Sequence, residues 1–101
     1  MKMSCFLAAV TILGILPARA QDAESGYQIA RRWCSPCHQI GRNAVPNVVS
    51  PAFVQIARMP STTTISLTVF LSTPHHQMPN YKLTPQEIAD VSAFILSLRD
   101  S

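Results

Sequence analysis

The sequence predicts a small all-α domain, and three observations lead to that fold class. Residues 84–98 combine a helix-capping pattern with apolar residues at helical spacing, and residues 22–33 begin at another capping residue. Residues 62–71 alternate apolar and polar side chains as a strand does, but no second strand is visible to pair with them. Because an unpaired strand leaves its backbone polar groups unsatisfied, we expect residues 62–71 to be helical as well.

The first 20 residues have the pattern of a secretory signal peptide. Lys2 provides a positive start, residues 6–16 are apolar, and residues 18–20 place small side chains around a cleavage point. The apolar run is shorter than the roughly 20 residues that span a bilayer, so an uncleaved membrane anchor is the less favoured alternative. We expect cleavage before Gln21, with residues 21–101 forming a single domain in the periplasm.

The expected mature domain is small and carries little net charge. Loss of residues 1–20 leaves 81 residues and lowers the formal net charge from +3 to +1, because Lys2 and Arg19 are removed and no acidic residue is. The domain has no run of Lys or Arg, so nucleic acid is not expected as a partner. Domains of this size often need a metal or a covalent link to stabilise a limited core.

The first predicted helix covers residues 22–33. Asp22 can cap its start, and Gly26, Ala30 and Cys34 fall on one line at intervals of four residues. Small side chains along that line predict the close approach of another helix.

A loop and a short helix are predicted next. Residues 39–50 have little periodicity and contain glycine, proline and asparagine, which is typical of a loop. Ser50 and Pro51 match an N-cap followed by proline at the first helical position. Pro60 is expected to end this helix after Met59.

The last predicted helix has the clearest signals. Thr84 and Glu87 form a capping-box pattern around Pro85 at the first helical position. The apolar stripe that follows consists of Ile88, Val91, Phe94, Ile95 and Leu98.

Residues 34–38 read Cys-Ser-Pro-Cys-His, the C-x-x-C-H attachment signature of a c-type haem. Cys34 and Cys37 can form thioether bonds with the two vinyl groups of one porphyrin. The imidazole of His38 then lies beneath the ring and can bind the iron as the proximal axial ligand. The motif predicts one covalently bound haem c, with its iron as the metal.

Three other interpretations of the motif are less favoured. A thioredoxin-like redox pair follows a strand in a βαβ unit, and none is visible here. A zinc site would need a second ligand pair, and the adjacent His75 and His76 are a poor one. A structural disulfide between Cys34 and Cys37 would leave the following histidine unexplained.

The second axial position of the iron decides between electron transfer and small-ligand binding. The candidates are Met59, Met78, His75 and His76. Met78 lies in an irregular segment, which can place a thioether over a haem face, whereas Met59 falls at a helix end, where methionine is most often core filler. His75 and His76 compete because imidazole is the stronger iron ligand, although the alternative is an exposed loop pair that titrates near neutral pH.

The chain resembles the class I cytochromes c of the small bacterial single-haem type over residues 26–98. The resemblance rests on the order and spacing of Gly26, the 34–38 motif, residues 51–53, Met78 with the proline after it, and residues 83–98. It implies a small cytochrome c fold, in which three to four helices surround one haem and the terminal helices cross.

The resemblance also implies roles for single residues. Gly26 would allow the crossing against Phe94, although the family often carries an aromatic residue one turn after this glycine and Ala30 stands there. The family pattern makes Met78 the distal iron ligand and also favours helix over residues 62–71.

A proline carbonyl would orient His38, and both Pro46 and Pro51 are candidates. Trp33 and Tyr81 would face the haem or its propionates, or else pack in the core. A further set of charged residues would guide a redox partner or have no specific role: Arg31, Arg32 and Lys82.

Taken with the export signal, these features predict a periplasmic electron carrier and not an enzyme, because no acid–base constellation is visible. Its partners would be redox proteins, with contact to a membrane only through a membrane-bound partner. The alternatives are a haem-based ligand-binding or sensing protein and a cytochrome subunit of an exported dehydrogenase.

Overall fold

The computed structural model describes residues 21–100 and, before them, residues 4, 8, 9, 11 and 14. Within residues 21–100 the chain forms four α-helices followed by a short 3₁₀ turn and contains no strand. The helices are α1 (Ala23–Trp33), α2 (Phe53–Ala57), α3 (Thr64–Leu71) and α4 (Pro85–Ser97), and the 3₁₀ turn is Leu98–Asp100. The all-α prediction is confirmed, whereas most of the predicted signal peptide over residues 1–20 lies outside the described residues.

Helix α1 begins as predicted, at a cap supplied by Asp22. Its carboxylate accepts hydrogen bonds from the backbone N–H groups of Glu24 and Ser25, at 3.0 and 3.2 Å. The backbone N–H of Asp22 in turn donates to the buried carboxylate of Asp90 in α4, at 2.9 Å. The start of α1 is therefore attached to α4 by a hydrogen bond between residues distant in sequence.

Helices α1 and α4 cross at Gly26, as the line of small residues predicts. A Cβ at this position would overlap the carbonyl oxygen of Asp90 and would lie 2.9 Å from Cβ of Phe94. Ala30, one turn later, is fully buried. Tyr27 supplies the aromatic contact, with its ring centroid 5.4 Å from that of Phe94. The aromatic residue of the crossing therefore follows the glycine directly.

Helix α2 is shorter than predicted at both ends. It starts at Phe53 with Ala52 as N-cap, so the prediction that Ser50 caps the helix and Pro51 opens it is wrong. The physical reason is that the Pro51 carbonyl accepts a hydrogen bond from the His38 side chain at 2.7 Å and does not take part in a helix. At the other end the helix stops at Ala57, before Met59.

Residues 64–71 form helix α3 despite their alternating pattern. Thr63 and Ser66 cap its start reciprocally, with backbone-to-hydroxyl bonds of 3.0 and 2.8 Å. The Thr68 hydroxyl donates to the carbonyl four residues before it, at 2.7 Å. Polar side chains that would alternate along a strand are thus satisfied within the helix, and Leu67 is buried in the core.

Helix α4 confirms both of its predicted signals. The Thr84 hydroxyl accepts from the Glu87 backbone N–H at 3.1 Å, and the Glu87 carboxylate accepts from the Thr84 backbone N–H at 2.9 Å. All five residues of the predicted stripe are buried: Ile88, Val91, Phe94, Ile95 and Leu98. This stripe forms the centre of the core, and α1, α2 and α3 all pack against α4.

In the part of the chain that the structure describes, no helix is both long enough and apolar enough to cross a membrane.

Candidate haem site

The C-x-x-C-H motif continues the backbone of α1 into one further turn. The backbone N–H of Cys34 donates to the carbonyl of Ala30 at 2.8 Å. The N–H groups of Cys37 and His38 then both donate to the carbonyl of Cys34, at 3.1 and 2.9 Å. The two cysteines and the histidine are therefore presented by one hydrogen-bonded turn at the end of a helix.

The two thiols differ in their environment. Cys34 is half-buried, Cys37 is exposed, and neither forms a disulfide. Burial raises the pKa of the Cys34 thiol to about 11, because the charged thiolate is poorly solvated there. The disulfide interpretation therefore has no support in the structure.

His38 is oriented by the carbonyl oxygen of Pro51, which lies 2.7 Å from its Nδ1. Because a carbonyl oxygen can only accept, Nδ1 carries the proton, which leaves Nε2 as the nitrogen that can present a lone pair to a metal. The Phe53 ring lies beside the imidazole, with centroids 5.5 Å apart. Of the two prolines that the sequence left open, Pro51 makes this contact, whereas Pro46 lines a separate cavity beside α2.

The predicted ligand Met78 is half-buried in a tight turn that starts at His75. The backbone N–H of Met78 donates to the carbonyl of His75 at 3.4 Å. Gln77, within this turn, has a positive φ of 68°. The turn brings the backbone of Met78 back alongside that of His75.

A group of apolar side chains is exposed on the 39–50 loop, directly after the motif, and on α3. Isolated exposed apolar residues are ordinary, and a ligand or partner is indicated only where several of them share one surface. The side chains are 61–96% exposed and belong to Val45, Val48, Val49, Ile65 and Val69.

The chemistry of these residues fits a haem and does not fit zinc. Two thiols and an imidazole with a free Nε2 match a porphyrin that carries iron. Among the described residues, no group of three or more His, Cys, Asp and Glu side chains could hold a metal ion by itself. The less favoured alternative of a zinc site completed by His75 and His76 therefore has no support among the described residues.

Comparison with known proteins identifies the family. The chain is 40% identical over 83 residues to cytochrome c-552 of Bradyrhizobium diazoefficiens, which covers 81% of this chain and 80% of that protein. The chain belongs to the class I monohaem c-type cytochromes. No family model and no solved structure matches it.

This cytochrome accordingly carries covalently bound haem c with its iron, and it transfers electrons to redox partners. The predicted cofactor and the predicted small cytochrome c fold are both confirmed by this relationship.

The other candidate ligands of the cytochrome lie in different surroundings. Met59 is 48% exposed and follows the end of α2. His76 is exposed, whereas the ring of His75 stacks on Phe70 with centroids 3.7 Å apart. Met59 lines a cavity of about 400 Å³ together with Ala44, Pro46, Val54, Gln55, Arg58 and Pro60.

Trp33 and Tyr81 form a pair at the surface of the cytochrome. Their ring centroids are 5.0 Å apart, and the residues are 38% and 44% exposed. The guanidinium of Arg32 lies 4.9 Å from the Trp33 ring centroid, within the range of a cation–π interaction. Neither aromatic residue packs in the core, so that alternative is wrong, and an orientation toward the haem stays a prediction.

Proposed function

We propose that this cytochrome is a periplasmic electron carrier whose iron is bound by His38 and Met78. The observation that carries the proposal is the hydrogen bond from Nδ1 of His38 to the Pro51 carbonyl, at 2.7 Å. When bound, the haem supplies a one-electron change between ferrous and ferric iron. The chain's own residues attach, orient and shield that group.

Cys34 and Cys37 are the proposed thioether residues, and His38 is the proposed proximal ligand. The Pro51 carbonyl holds the His38 ring in one tautomer and one orientation, so that Nε2 is the nitrogen available to a metal. A hydrogen bond of this kind also increases the basicity of the imidazole toward its metal.

The contacts of the competing residues support Met78 as the distal ligand. The Nε2–H of His75 donates to the carbonyl of Phe70 at 3.0 Å, which commits that nitrogen to the protein backbone. Met59 lines a cavity that includes none of the three motif residues. A thioether at the distal position raises the reduction potential and closes the site, as electron transfer requires.

The proposed carrier reaches the periplasm by means of residues 1–20. The support is the signal-peptide pattern of that segment, with cleavage before Gln21. Its donor and acceptor are redox proteins, and a membrane is contacted only when one of these is membrane-bound. An intact mass equal to residues 21–101 plus one haem would support cleavage at this position, and a mass that includes residues 1–20 would contradict it.

The ligation is tested by the visible spectrum of the purified ferric protein. We expect the weak sulfur-to-iron band near the red edge, and we expect Met78→Ala to abolish it. Met59→Ala is the matched control, since it removes the other candidate thioether and should leave the band intact. Survival of the band in Met78→Ala, or ready binding of carbon monoxide by the ferrous parent protein, would contradict His/Met ligation.

A further inference from the structure

His75 joins the end of α3 to the turn that carries Met78. Its ring stacks on that of Phe70, with the centroids 3.7 Å apart and the planes inclined by 13°. Its Nε2 also lies 3.0 Å from the backbone carbonyl oxygen of Phe70. Because the carbonyl can only accept, Nε2–H is the donor. One side chain is thus held by both the ring and the backbone of a single helical residue.

The backbone of His75 is hydrogen-bonded to the backbone of Met78, so the position of one residue restricts that of the other. The two residues form an antiparallel bridge, in which the Met78 N–H donates to the His75 carbonyl at 3.4 Å. Gln77 adopts a φ of 68° between them, in the left-handed region that residues other than glycine rarely occupy. Such a conformation persists when the surrounding contacts hold it in place. The position of Met78 therefore depends on that of His75, and the position of His75 depends on Phe70.

The neighbouring His76 provides a natural comparison. It is exposed, whereas His75 is half-buried against α3. The two histidines are adjacent in the sequence, yet the structure places a contact to Phe70 on His75. A difference between the effects of replacing His75 and of replacing His76 therefore reports on the contact with Phe70 and not on the presence of a histidine in this segment.

We propose that His75 is a positioning residue for Met78, and that its bonds to Phe70 keep the thioether at the distal position of the iron. This inference rests on the proposed ligation by Met78. If His75 stops holding the turn, Met78 occupies its position for a smaller fraction of the time. An external ligand then competes for that position more successfully, because the conformation that excludes it is less populated.

Imidazole binding to the ferric holoprotein tests this role, because it measures how readily the distal position opens. His75→Phe keeps a ring that can stack on Phe70 but removes the Nε2–H, and His75→Ala removes both contacts. We expect His75→Phe to bind imidazole about five- to tenfold more tightly than the parent, the factor that corresponds to one lost hydrogen bond. His75→Ala should bind it more tightly still. The sulfur-to-iron band should persist in both variants without imidazole.

Two controls separate positioning from general destabilisation. His76→Ala removes the exposed neighbour and should bind imidazole within about twofold of the parent, since no comparable contact is lost. Arg99→Ala destabilises the protein at its C-terminal turn, because it removes the hydrogen bond from Arg99 to the carbonyl of Ala57. It should also leave imidazole binding unchanged. If Arg99→Ala tightens imidazole binding as much as His75→Phe does, overall stability explains the effect and the role of His75 is overturned.

The failure of this inference can be distinguished from the failure of the proposed ligation. If Met78→Ala loses the sulfur-to-iron band while both His75 variants bind imidazole like the parent, Met78 is the ligand and His75 does not position it. If Met78→Ala keeps the band, both the ligation and the positioning role are overturned.

Discussion

Arg99 attaches the C-terminal 3₁₀ turn to the end of α2, because its Nε–H donates to the carbonyl oxygen of Ala57 at 2.9 Å. The same guanidinium donates to the carbonyl of Thr62, in the connection between α2 and α3. The Ala57 carbonyl lies at the C-terminal end of α2, where backbone acceptors have no partner within the helix, and the Thr62 carbonyl lies just before the N-cap of α3. One side chain near the end of the chain therefore satisfies two backbone groups more than 30 positions earlier in the sequence.

Replacing Arg99 by alanine should lower the free energy of unfolding by about 2 kcal/mol, because hydrogen bonds to a charged donor are lost and partly buried carbonyls are left without it. Arg42→Ala is the matched control, since Arg42 is an exposed loop residue, and its effect should stay within about 0.5 kcal/mol. Denaturant unfolding of the holoprotein measures both values. Equal effects of the two substitutions would argue against the role assigned to Arg99.

Replacing Gly26 by alanine should cost about 3 kcal/mol or more, because the added methyl group overlaps the Asp90 carbonyl and forces α1 and α4 apart. Gly41→Ala introduces the same methyl group in the loop, where no atom lies within 4 Å of it and φ is not in the left-handed region. Gly41→Ala should therefore leave the free energy of unfolding nearly unchanged. Thermal or denaturant unfolding of the two variants compares them, and a stable Gly26→Ala protein would show that the helices can separate at little cost.

Replacing Ser92 by alanine should increase the free energy of unfolding by about 1 kcal/mol. Ser92 is fully buried in α4, and among the described residues its hydroxyl is the buried side-chain group with no hydrogen-bond partner. Removing an unpaired buried hydroxyl abolishes its desolvation cost, and the change in volume is small.

Thr62→Val is the opposite case, because the Thr62 hydroxyl is also buried but donates to the carbonyl of Ile56 at 2.7 Å. This substitution should destabilise the protein by about 1 kcal/mol. The contrast in sign between Ser92→Ala and Thr62→Val, measured by denaturant unfolding, tests whether hydrogen bonding and not burial alone decides the effect. A loss of stability in Ser92→Ala would mean that its hydroxyl has a partner.

Features that depend on nearby residues could be predicted from the sequence. The Thr84–Glu87 capping box and the Asp22 cap each involve only residues within four positions of one another, and both occur in the structure. The haem motif is equally local, since Cys34, Cys37 and His38 occupy one turn of backbone. The crossing at Gly26 also follows from local spacing, because a line of small residues indicates a close neighbour without identifying it.

Features that depend on distant residues could not be predicted in this way. The predicted start of α2 is wrong because the Pro51 carbonyl accepts a hydrogen bond from His38, 13 residues earlier. A Ser-Pro pair is typical of a helix start, so the local sequence predicts a helix there. This pairing of Pro51 with His38 leaves no periodic signal in the sequence.

By itself, the sequence determined the cofactor, the all-α fold class, the order of the main helices, and a short set of candidate iron ligands. Each of these depends on chemistry carried by residues close together in the chain. Only the tertiary structure decided that Pro51 orients His38, that Tyr27 packs on Phe94, and that His75 rather than His76 contacts Phe70. These choices are made by hydrogen bonds and ring contacts between separate elements, and folding alone brings their partners together.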